Sequence, residues 1–414
     1  MTRTRSPMIL PAVAFKKSMR ERSRQFRLRP LVGCLCLLLA LASPAAANSH
    51  LLRGTIVAVA DGQVTIERHW ENHGDDDGVE TVRCGADAHV LLDGVVSTPA
   101  EAFVPGRLIH VCKDVALFKV FTADHRLAPA GEADPLDGWW QVRLEGRACY
   151  VEGVVVHRQG PKPATFQGPL VLYLDVADGA IRDAAVSTPG MKSSAAGHEV
   201  DAAGLRLSVD ALAGDLRVVL RGNGKVVLPE AAAERTVVRS LQVSVGEDGR
   251  LAGSWEGRAG DREIEGTVGG RVRARPVIPE DCFLWVRCPR LYDRLKGADS
   301  IVELRRQDGA VEGTLLGGKD KAVGPLGEVT LTLTERTFAA TVTCPAAARV
   351  GGMELRGRLI GDRIFGTWTT TGENGGRTGA LRGEVRGVGC PTMAWNEADA
   401  KREVKALAPG EAGR

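Results

Sequence analysis

Three groups of side chains in this 414-residue chain have the types and spacing to do chemistry. The first is the run His69-Trp70-Glu71-Asn72-His73-Gly74-Asp75-Asp76-Asp77-Gly78. Imidazoles and carboxylates gathered in one loop are ligands for zinc, copper or calcium, and His69, His73 and Asp75 form the candidate metal set. The run is not a metalloprotease helix: Trp70 stands where the catalytic Glu is needed, and Gly74 and Gly78 oppose a helix. It is not an EF-hand either, because its acids are consecutive rather than alternate. A solvated hairpin loop, polar because it faces no core, explains the same composition, so no resident cofactor is expected.

The second group is Trp139-Trp140, a candidate sugar-stacking platform. In a strand, adjacent side chains point to opposite faces, so one indole belongs to the core and only the other can meet a ligand. The third group is the cysteines. Cys34 and Cys36 lie in the leader described below, which leaves Cys84, Cys112, Cys149, Cys282, Cys288, Cys344 and Cys390. An oxidising compartment makes disulfides the default, and the odd count leaves one thiol over. The expected pairs are Cys84–Cys112, Cys282–Cys390 and Cys288–Cys344. No pair has the two-residue spacing of a zinc site.

No other catalytic constellation stands out. The histidines end at His198. No acid pair, Ser-His-Asp set or phosphate loop recurs in the duplicated segments described below, or is specialised in one of them. The expectation is therefore a non-enzymatic protein. The alternatives are a metal-dependent hydrolase using the His69 loop and a carrier of a small apolar ligand.

The amino terminus reads as a secretory leader. Five arginines between Arg20 and Arg29 precede an apolar stretch over residues 31–42, and Ala45-Ala46-Ala47 offers a small-x-small cleavage site. Leu31-Val32-Gly33-Cys34 spells a lipobox, but it begins the apolar stretch instead of ending it. The expected location is periplasmic or extracellular, with no transmembrane segment after cleavage. Residues 1–47 hold nine Lys or Arg and one Glu, so the remaining chain carries 45 basic and 50 acidic residues, a formal charge of −5. Nothing in that balance suggests nucleic acid. The partner classes expected are an envelope glycan or another envelope protein.

The elements that must position these groups are strands. Val, Thr and Leu alternate with polar residues, Gly or Asp-Gly recurs every eight to fifteen residues, and Gly totals 50. This predicts an all-β chain of three consecutive antiparallel barrel-like modules. The boundaries fall at residues 48–126, a patternless linker over 127–136, then 137–275 and 280–389, with a polar tail over 390–414 that reads as a short helix laid on the last barrel or as a frayed end. The last two modules read as an internal repeat. Asp248-Gly249-Arg250-Leu251-Ala252-Gly253-Ser254-Trp255 is echoed by Gly361-Asp362-Arg363-Ile364-Phe365-Gly366-Thr367-Trp368. Five further segments match in order, among them Ile264-Glu265-Gly266 with Leu381-Arg382-Gly383. Trp255 and Trp368 are expected to plug the barrel end or core.

Two resemblances follow from these patterns. The Gly54-Thr55-Ile56 strand, the Asp61-Gly62 turn, the Thr98-Pro99-Ala100-Glu101 turn and Pro105-Gly106 resemble a small OB-like secreted bacterial module. The D-G-x-[IV] and G-D-x-[IL]-x-G-[ST]-W phrasing, with Trp139-Trp140 and Trp285 in opening strands, is similar to calycin-like secreted bacterial domains. Both resemblances imply a β-barrel fold and no activity.

Overall fold

The computed structural model describes residues 51–68, 79–132, 134, 137–146, 150–157, 160–167, 170–187, 198–200, 205–212, 215–227, 236–246, 248–259, 262–292, 298–317, 321–348, 350–372, 376–392 and 394–407. The leader, Cys149 and the loop carrying His69, His73 and Asp75 lie outside the described residues. Strand predominates and helix is scarce among the described residues, so the fold is all-β as the alternation predicts.

The first module starts with β1 (Leu51–Ala60) and β2 (Gln63–Arg68). Asp61 and Gly62 join them with φ of 49° and 70°. Positive φ at both central residues marks the tight hairpin turn whose twist suits antiparallel strands. β3 (Val79–Arg83), β4 (His89–Leu92), β5 (Val95–Val96), β6 (Leu108–Cys112) and β7 (Leu117–Phe121) complete a seven-stranded sheet, ordered β3-β2-β1-β6-β7-β4-β5. Helix α1 (Pro99–Ala102) is the expected single turn with Pro99 at its first position. Its capping box is complete: Glu101 N–H donates to Thr98 Oγ1 at 3.3 Å, and Thr98 N–H donates to Glu101 Oε2 at 3.2 Å.

The second module begins with β8 (Gly138–Gly146). A hairpin of β9 (Tyr150–His157) and β10 (Gly160–Gln167) forms its own two-stranded sheet. Then come β11 (Leu170–Ala177), β12 (Ala180–Ser187), β13 (His198–Val200), β14 (Leu205–Leu212), β15 (Asp215–Val227), β16 (Thr236–Val245), β17 (Arg250–Ala259) and β18 (Arg262–Arg273). The third module contains β19 (Cys282–Tyr292), β20 (Ala298–Gln307), β21 (Ala310–Gly317), β22 (Lys321–Pro325), β23 (Val329–Leu333), β24 (Thr337–Thr343), β25 (Gly352–Ile360), β26 (Arg363–Thr371) and β27 (Thr378–Gly387).

The two nine-stranded sheets run β13-β12-β11-β8-β18-β17-β16-β15-β14 and β22-β21-β20-β19-β27-β26-β25-β24-β23. Strand for strand, the two orders coincide. In each, the first and last strands of the module pair, and the sheet curls into a half-barrel. Asp137 and Asp281 occupy corresponding places: each accepts the backbone N–H of an Asp-Gly hairpin, from Asp178 at 3.2 Å and from Asp308 at 3.0 Å. The ladder corrects one sequence match. Trp255 lies opposite Gly266, and Trp368 lies opposite Gly379, so Gly266 corresponds to Gly379 and not to Gly383. The slip is four residues, an even number, and so leaves every side chain on the same face.

Alternation fills the interiors. Trp140, Val142 and Leu144 of β8 meet Trp255 and Val268 in one core. Leu284, Val286 and Cys288 of β19 meet Trp368 and Leu381 in the other. Each indole buries on the order of 200 Å² of apolar surface.

The outer faces join the modules. Trp139, Val171 and Tyr173 pack against Ile360 and Phe365, and Leu108 packs against Phe283 and Trp285. The linker, expected to be patternless, pairs with the next one: Ala130 N–H donates to Arg275 O at 2.7 Å, and Val277 N–H donates to Ala128 O at 2.8 Å. The tail was expected on the last barrel or frayed. Helix α2 (Glu397–Leu407) instead lies on the first module, with Trp395 and Ala400 buried beside Leu91, Cys112 and Leu117. The described residues form one compact unit. Among the described residues, no helix is long and apolar enough to cross a membrane.

Candidate functional site

Among the described residues, those singled out by type and spacing do not assemble into a site; His69, His73 and Asp75 lie outside the described residues. Among the described residues, no three His, Cys, Asp or Glu side chains converge on a metal position. Alternation requires one of the two indoles in the core, and it is Trp140 that lies in the first half-barrel core. Trp139 points outward but is only 2% exposed, so it offers no open platform. The hairpin between β25 and β26 covers it: Gly361 lies so close that a Cβ there would meet the indole at 2.5 Å. Tyr173 stacks beside the same ring at 6.4 Å between centroids.

No disulfide links the described cysteines. The register separates Cys84 from Cys112. Cys84 follows Arg83, which pairs with Gln63 at the Ala60 end of β1, whereas Cys112 pairs with Leu51 at the other end. Nine residues of strand span roughly 30 Å. Cys282 is brought opposite Gly387, near Cys390 in the chain, but Cys282 points into the half-barrel core and Cys390 joins the outer cluster. Cys288 and Cys344 share one core. Burial pushes the Cys344 thiol up to about 11 and raises Cys282, Cys112 and Cys84 as well. These thiols pack as small apolar groups rather than as nucleophiles.

A cleft of about 600 Å³ opens where the three modules meet. Such a volume suits a small ligand. Its walls come from β1 and β2, from His125 and Arg126 just before the linker, from the end of β18, and from the turn into β26. Arg68, Arg126, Arg273, Arg363 and Arg386 line it against Glu67 and Asp362. Counting Glu384, which is buried behind Arg363 and Arg386, and Glu80, 4.0 Å from Arg68, five arginines meet four carboxylates, so one positive charge remains in excess among the described residues.

Ion pairs hold the guanidiniums in place. Glu67 Oε1 accepts from Arg273 Nη2 at 2.9 Å and from Arg271 Nη1 at 3.4 Å, which ties the first module to the first half-barrel. The Arg273 guanidinium lies 5.5 Å from the centre of the Trp139 ring. Arg363 Nη1 stands 2.9 Å from Glu384 Oε2, and Arg363 Nε stands 3.3 Å from Asp362. Arg126 rests on Gly106, where a Cβ would come within 2.6 Å of its Nη2. His125 Nε2 and Thr55 Oγ1 share a hydrogen bond at 3.1 Å, and the His125 carbonyl accepts Gly387 N–H at 3.0 Å. Those contacts fasten the segment leading into the linker between β1 and β27.

A second cleft of about 270 Å³ adjoins the first, sharing Glu67 and Arg273 and adding Arg143, Arg250 and Arg271. Positioned arginine forks match the geometry of carboxylate and phosphate groups. The arrangement can therefore bind and orient an anion. No segment of sequence signals it, because its arginines come from strands and linkers up to 318 positions apart, from Arg68 to Arg386. Comparison of the chain with protein-family models, with curated proteins and with solved structures finds no match.

Proposed function

We propose that this chain is an exported, non-enzymatic binding protein of the cell envelope, and that its ligand is an anion held in the cleft between the three modules. The observation that carries the reading is the surplus of arginine in that cleft, in a chain whose formal charge without residues 1–47 is −5. Cationic walls of low dielectric focus the field on an incoming anion. The leader-like amino terminus supports export, which makes an anionic envelope glycan the natural ligand class. Both half-barrel interiors are filled by indoles and aliphatic side chains, so the apolar-carrier alternative has no cavity there among the described residues.

The test is calorimetric titration of the purified protein with neutral and carboxylated oligosaccharides. The carboxylated ones bind, and Arg68→Gln or Arg126→Glu weakens them about tenfold, the loss of one charge-assisted contact of about 1.4 kcal/mol. Equal affinity for neutral sugars, or variants that bind as well as the parent, contradicts the reading.

A further inference from the structure

The two half-barrels differ at one matched cross-strand pair, and that difference points to an extended ligand. In the second half-barrel the pair is Arg363 opposite Glu384, which form a buried ion pair at 2.9 Å. In the first half-barrel the corresponding pair is Arg250 opposite Arg271. Like charges directly opposite in a sheet repel. Among the described residues, each of these arginines has one carboxylate beside it, Asp248 at 3.0 Å and Glu67 at 3.4 Å, and Glu67 is shared with Arg273. The pair faces the second cleft, with Arg143, itself paired with Glu145 at 2.7 Å, two positions along β8 from Gln141, the residue paired with Arg271. Neighbouring strands lie about 4.8 Å apart and alternate residues about 6.6 Å apart along a strand, so these guanidiniums form a close-set grid. The grid runs into the junction cleft through Arg273, which lines both.

From this continuity we infer that the two clefts are one groove for a chain-like polyanion, an acidic polysaccharide whose successive carboxylates engage the Arg250–Arg271 face and the junction cleft together. The inference rests on the anion-binding reading of the junction cleft and adds a second subsite to it. A polymer that occupies both subsites gains from the high effective concentration of its second carboxylate once the first is bound. A single uronate cannot.

The experiment measures binding of galacturonate oligomers of one, four and ten residues to the whole purified protein at fixed salt. The ten-residue oligomer is expected to bind at least about thirtyfold more tightly than the single uronate. Arg271→Glu, which installs the residue type found at position 384, is expected to collapse that length advantage to about threefold or less. Arg143→Gln provides a second variant should Arg271→Glu impair folding, which a thermal melt would reveal. Equal affinity at all lengths, or a length advantage unchanged in both variants, overturns the groove while leaving the junction-cleft reading in place. Failure of every anion to bind overturns both. Tighter binding of a short DNA duplex than of the ten-residue oligomer overturns the assignment to polysaccharide.

Discussion

Gly361 sits on the face of Trp139. A Cβ at position 361 would lie 2.5 Å from the indole, and the backbone there has φ of 63°. Both conditions demand glycine. The turn that Gly361 opens also carries Asp362 and Arg363 into the junction cleft. Gly361→Ala is expected to cost about 1–3 kcal/mol through strain and overpacking. It is also expected to weaken anion binding, since the displaced turn forms part of the cleft wall. Thermal melts and titration on one variant check both effects.

The tryptophan–glycine cross-strand pairs carry the half-barrel cores. At Gly379 a Cβ would meet Trp368 Cζ2 at 2.5 Å, and at Gly266 it would meet Trp255 Nε1 at 2.6 Å. Gly379→Val should destabilise by about 1–3 kcal/mol, and Trp368→Ala by about 3–5 kcal/mol. Chemical denaturation that leaves Gly379→Val as stable as the parent contradicts this packing.

The carboxyl-terminal helix holds the first module through Trp395. Arg53 Nη2 donates to its carbonyl at 2.7 Å, His110 stacks on its ring at 5.8 Å, and Lys119 lies 5.4 Å above that ring. Trp395→Ala is expected to cost about 3 kcal/mol and to speed amide exchange in β6 and β7. Unchanged exchange there shows that the helix is not a structural strap.

The thiols follow from register and burial. Peptide mapping without reduction should recover Cys84 and Cys112 in unlinked peptides. With its pKa raised to about 11, Cys344 is about 0.1% thiolate at pH 8. Its alkylation should be slow in the folded protein, quicken about tenfold per pH unit up to pH 10, and become fast on unfolding.

The fold class was legible because alternation and Asp-Gly turns are local signals. Asp61-Gly62 and Thr98 through Glu101 form the turn and cap that their residue types predict. The last strand was harder to register, because β18 and β27 both carry glycines at close spacing. A four-residue slip preserves the inward face, and only the tryptophan opposite each glycine fixes the match. Alternation put one indole of Trp139-Trp140 inside and the other outside without saying which, and no local pattern shows that a turn more than 200 residues later covers Trp139. The arginine cleft was invisible for the same reason: each of its walls is an ordinary strand end or linker, and the charge surplus exists only once three modules meet.

The central claim is that the junction cleft binds the anion, and hydrogen exchange locates binding most directly. Amide exchange of the whole protein, measured with and without the ten-residue galacturonate oligomer, should slow in peptides covering residues 123–130, 271–277 and 359–366. It should stay unchanged in β22 and β23, at the far edges of the second half-barrel sheet. Slowing at those edges, or binding with no slowing around Arg126, Arg273 and Arg363, would contradict the account.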